Sequence, residues 1–96
     1  TFGKGMVLKL QDSYLRIWRA NDIVVNSQAD YLERKTYQEQ AVLDLQDFLG
    51  LLSPARRIYH LPTRRVNFWT EEALEVLSLL RGWKKSDRER YAKIYG

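Results

Sequence analysis

Between residues 28 and 52 the apolar side chains recur at three- and four-residue steps: Tyr31, Val42, Leu45, Leu49 and Leu52, with Ala41 and Phe48 alongside. That period marks one face of an α-helix and not the alternation of a half-buried strand. Leu43 and Leu51 carry the apolar surface nearly all round the last three turns, which implies burial on more than one side. The earlier part, "LERKTYQEQ", is polar and is expected to be solvated. Ser27 is placed to cap this helix, with Asp30 three residues on, where a carboxylate meets free backbone N–H groups. A helix of this kind must be surrounded by others. The expected fold is therefore mainly α, a small helical domain around one long central helix.

Size agrees with a single domain spanning 1–96, able to bury a modest core. The absence of cysteine excludes a disulfide framework and a thiolate metal site. No apolar run approaches the ~18 residues of a membrane helix. "MVLKL" is too short for a signal peptide, and "TFGKG" at residues 1–5 reads as a flexible arm or an artificial extension. The expected setting is intracellular: the nucleus for a eukaryotic protein, the cytoplasm for a bacterial or viral one.

Residues 6–25 are ambiguous. Val7, Leu10, Tyr14 and Ile17 have helical spacing, whereas the Tyr, Ile, Trp and Val content suits strands. The segment reads as a helix to about Arg19, or alternatively as a short β-hairpin. Ser53-Pro54 is expected to end the central helix and to start a two-turn helix, "PARRIYHL", which Pro62 stops. In the closing stretch Thr70 reads as an N-cap, Trp69 as packing on Leu74, and Gly82 as a helix end. Ser86 and Glu89 form a capping box for one more helix, so four or five helices are expected in all.

The residues "FWTEEALEVL" and "RYAKIYG" within 67–96 resemble the first two helices of a Myb/SANT-type, homeodomain-like helix-turn-helix. Trp69, Thr70, Glu71, Glu72, Leu74 and Leu77 match the first helix, and Tyr91, Ala92 and Gly96 the second. Arg88 stands where that family usually places a further core tryptophan. The resemblance implies a C-terminal helix pair, a third helix beyond Gly96 to enter a DNA major groove, and DNA as partner.

Charge points the same way. Residues 1–52 carry six Lys/Arg against seven Asp/Glu, and residues 53–96 carry ten against five. The candidate nucleic-acid-binding residues are Arg56, Arg57, Arg64, Arg65, Lys84, Lys85, Arg88, Arg90 and Lys93, each suited to meeting a phosphate. Tyr59, Phe68 and Trp83 are aromatic enough to stack on bases, although core packing is the commoner use. His60 is the only histidine and has no cysteine to share a metal with, so a packed or surface role is expected. Asp44 and Asp47 share a helix face and read as a solvated stripe. No cofactor, metal, small-molecule substrate or catalytic residue is expected. The functional expectation is a non-enzymatic DNA-binding protein connected with transcription or chromatin. The alternative is a protein-interaction module, or a homodimer, docking through the long apolar helix.

Overall fold

The computed structural model describes the backbone of residues 2–95 and the side chains of residues 8–95. It contains three helices, α1 (Phe2–Asp22), α2 (Gln28–Tyr59) and α3 (Thr63–Tyr95), with no strand among the described residues. Successive helices are antiparallel. Lys9 and Arg16 of α1 meet Asp47 and Asp44 of α2, while Arg56 and Gln38 of α2 meet Thr63 and Asp87 of α3. The central helix is therefore α2, with α1 on one side and α3 on the other. The backbones of α1 and α3 do not pack together. The body measures 50 × 22 × 17 Å with a radius of gyration of 15.5 Å. A compact chain of this length would have about 12–13 Å. The domain is a short rod.

The mainly helical expectation holds, but the β-hairpin for the N-terminal segment does not. Residues 2–5 belong to α1, while Thr1 lies outside the described residues. The packing face explains the helix. Ser13 and Ala20, seven residues apart, have no exposed surface, and Leu10 and Ile17 pack beside them on the core. Small residues at that repeat let α1 approach α2 closely. The strand-favouring Trp18 and Tyr14 sit on the outer side, where β propensity decides little.

Helix α2 starts as its sequence suggests. Ser27 Oγ accepts from Asp30 N–H at 3.2 Å, and Asp30 Oδ2 accepts from Asn26 N–H at 3.1 Å. It does not stop at Pro54, which lies inside the helix. A proline there forfeits a hydrogen bond and costs about 3 kcal/mol. Leu52 and Ala55, buried on either side of it in one core, hold the turn in place. The helix ends at His60, which takes the left-handed cap conformation at φ 50° while Leu61 N–H reaches back to Arg56 O at 3.2 Å. His60 is exposed and serves as a cap.

The C-terminal helix pair is a single helix. α3 runs through Gly82 and Ser86 without a turn, and among the described residues no glycine has a positive φ. Leu80 is buried in the core and Asp87 is bonded to Gln38, so both sides of Gly82 are fastened to α2 along one stripe. Thr70 is an interior residue whose hydroxyl donates to Val66 O at 2.7 Å, and Trp69 packs on the core while Leu74 is exposed. A Cβ built on Gly82 meets nothing within 4 Å. Gly82→Ala is therefore expected to raise stability by about 0.5–1 kcal/mol in urea unfolding. A loss of stability would mean that the chain turns at Gly82 after all.

The core is a row of Ala41, Leu45, Phe48, Leu52 and Ala55 from α2 with Val66, Ala73, Leu77 and Leu80 from α3. Among the described residues no helix is long and apolar enough to cross a membrane.

Candidate nucleic-acid interface

The i, i+4, i+7 stripe of a continuous α3 places Arg81, Lys85 and Arg88 on one flank, with Lys84 between them and the core. Opposite, α2 supplies Lys35. These five cations line one cleft between α2 and α3 with a volume of ≈ 320 Å³, whose only acids are Glu39 and Asp87. Glu39 stands 4.0 Å from Lys84. Asp87 is occupied below, accepting from Gln38 Nε2 at 2.9 Å. Arg34 Nε lies 3.1 Å from the same oxygen, but off the hydrogen-bond axis, so this buried nitrogen has a charge partner without an aligned acceptor. The Arg34 guanidinium also covers the Trp83 ring at 4.7 Å. Among the described residues, Lys35, Arg81, Lys85 and Arg88 have no acidic partner.

The nine candidate residues do not form one surface. Lys84, Lys85 and Arg88 meet at this cleft, where Lys35 and Arg81, absent from the candidate set, join them. Arg64 and Arg65 line a different hollow with Pro62, Phe68 and Trp69, about 30 Å away along α3 at 1.5 Å per residue. Arg56 donates to Thr63 Oγ1 at 2.8 Å and braces the α2–α3 turn, and Arg57 is exposed in the last turn of α2. Arg90 lies over the Tyr91 ring at 5.9 Å, and Lys93 is exposed in the last turn of α3. Of the aromatic candidates, Trp83 is half-buried under Arg34, and Tyr59 and Phe68 are exposed away from the cleft.

Three tyrosines lead away from the cleft. Tyr31 forms part of its wall; the Tyr91 ring centroid is 5.8 Å from that of Tyr31, and Tyr95 follows at 6.2 Å with its ring tilted only 30° from Tyr91. Tyr91 and Tyr95 are half-buried. On the opposite flank of α3 an apolar furrow faces α1, lined by Tyr14, Ile17, Trp18 and Trp83.

Asp44 is not part of a solvated stripe. Its side chain is buried and bonded to Arg16 at 2.7 Å, with Lys9 at 3.8 Å, while Asp47 stays exposed and pairs with Lys9 at 3.3 Å. Burial pushes the Asp44 carboxyl above its ordinary range; Arg16 and Lys9 pull it back, and Asp12 and Asp47 add to the rise. A raised native pKa means that the folded state holds this proton after the unfolded chain has released it. Its effect is a stability that declines as pH rises from 3.8 through the native value and is flat above it. Urea midpoints between pH 4 and 7 are expected to lose this component in Asp44→Asn. An unchanged profile in the variant would count against it. Among the described residues no group of three His, Asp or Glu side chains is placed to hold a metal ion.

No protein-family model matches this chain, and no curated protein or solved structure is significantly similar to it.

Proposed function

We propose that this chain is a non-enzymatic, nucleic-acid-associated protein that holds phosphates in the α2–α3 cleft. One observation carries the reading: Lys35, Arg81, Lys85 and Arg88 line a single recess without acidic partners. Like charges gathered round one recess repel each other, and a polyanion offsets that repulsion while releasing its own counterions. The reading draws nothing from helix-turn-helix geometry, because α3 is continuous through the region of resemblance. Contact is with the backbone, and no base-edge recognition is assigned. The rival reading, a module docking through α2, would have to use Leu32, Leu43 and Ile58, which are exposed but scattered along the helix. Leu45, Phe48 and Leu52 are consumed by the fold, and an apolar furrow also lies between α1 and α3.

The test is a fluorescence-anisotropy titration with a short labelled oligonucleotide at about 50 and 200 mM salt. If about four phosphates are neutralised, affinity is expected to fall about 50- to 150-fold between the two conditions. Arg81→Ala with Lys85→Ala is expected to reduce the slope of log affinity against log salt concentration by about one per residue removed. Absence of binding at the lower salt would overturn the reading.

A further inference from the structure

We infer that the nucleic acid held by this protein is single-stranded, with its backbone in the cleft and unpaired bases on the tyrosines beside it; this rests on the phosphate-contact reading above. The cations stand along the two walls of one narrow cleft, with Lys35, Arg81, Lys85 and Arg88 exposed and Lys84 half-buried. Lys35 on α2 faces the Arg81, Lys85 and Arg88 flank of α3 across ≈ 320 Å³, a volume at the small end of binding sites for small molecules. A phosphodiester unit fits such a space. A double helix is too wide and stiff to enter it and meets only the side chains exposed at its rim. A single strand bends freely enough to enter.

The second observation is where the rings lie. Tyr31 belongs to the cleft wall but is itself buried, so the rings open to a ligand are those of the half-buried Tyr91, 5.8 Å from Tyr31, and Tyr95, 6.2 Å from Tyr91. Arg90 sits over Tyr91 at 5.9 Å and adds a cation beside the rings. A positively charged groove followed by aromatic faces suits a ligand that alternates phosphate and planar base. Only an unpaired strand offers both at once, because in a duplex the base faces are hidden in the stack. The rings of Phe68 and Trp69 neighbour Arg64 and Arg65 at the other end of α3, but Trp69 is packed on the core and the hollow they share is lined by Pro62 and α3 residues, without a cation from α2.

The experiment compares a labelled single strand of about twelve nucleotides with the duplex of the same sequence, and uses inorganic polyphosphate as competitor. The wild-type chain is expected to bind the single strand at least about tenfold more tightly than the duplex. Tyr95→Ala, in the last turn of α3, is expected to weaken single-strand binding about five- to tenfold and to leave duplex binding unchanged, with helicity checked by circular dichroism. Equal or tighter duplex binding, with Tyr95→Ala silent, overturns the single-strand inference and leaves the phosphate-contact reading standing. So does polyphosphate that competes as well as the single strand at equal phosphate concentration. Failure of both nucleic acids to bind at low salt overturns both.

Discussion

Asp87→Ala is expected to destabilise the fold by about 3–5 kcal/mol, the usual cost of removing one partner from a buried ion pair. For a domain of this size each kcal/mol moves the melting temperature by about 4–8 °C, so the loss is at least about 12 °C. The reason is local. The Asp87 side chain is 5% exposed and Arg34 14%, so neither charge has water to fall back on. Without the carboxylate the Gln38 amide loses its acceptor at 2.9 Å, and Arg34 keeps only the face of Trp83 at 4.7 Å. Arg34→Met combined with Asp87→Leu removes both charges at once and is expected to recover much of the loss. A melting temperature within a few degrees of wild type in the alanine variant would mean that this network does not join α3 to α2.

Ala20→Leu is the second large effect. Ala20 and Ser13 are both 0% exposed on the face of α1 that lies against α2. Three added carbons must push into that close-packed contact, and overpacking of this kind costs about 1–3 kcal/mol. The expected outcome is detachment of α1: a lower urea midpoint, with the α1 amides exchanging faster than those of α3. Leucine tolerated at wild-type stability would show that α1 does not approach α2 as closely as described.

Much of α2 was legible from the chain, because Leu45, Phe48 and Leu52 repeat at helical spacing and Ser27 with Asp30 writes its own cap. Residues 6–25 were legible in part, because Leu10 and Ile17 have helical spacing and do pack on the core. The rest of the contact face of α1 is a serine and an alanine, which no hydrophobic pattern registers, while Leu8, Tyr14, Leu15 and Trp18 are exposed and left the strand alternative open. Pro54 and Gly82 are breakers by local preference, worth about 3 and 1 kcal/mol. Both were overruled by packing on each side of them: Leu52 and Ala55 round the proline, Leu80 and Asp87 round the glycine. The error at Gly82 also hid half of the cleft. Once α3 is continuous, Arg81 falls on the same stripe as Lys85 and Arg88; Lys35 enters only through the tertiary pairing of α2 with α3. Nothing in the order of residues announces that pairing, because the polar Gln38–Asp87 contact sets its register far along the helices.

The central claim is that phosphates are held in the α2–α3 cleft. Its most direct test is a nuclear magnetic resonance titration of the isotope-labelled chain with an unlabelled oligonucleotide, following backbone amides and the side-chain signals of lysine and arginine. The account predicts saturable shifts concentrated on Lys35, Arg81, Lys84, Lys85 and Arg88, reversed by added salt. Shifts confined to Arg64 and Arg65, or to the furrow at Tyr14 and Trp18, with the cleft unmoved, would contradict it.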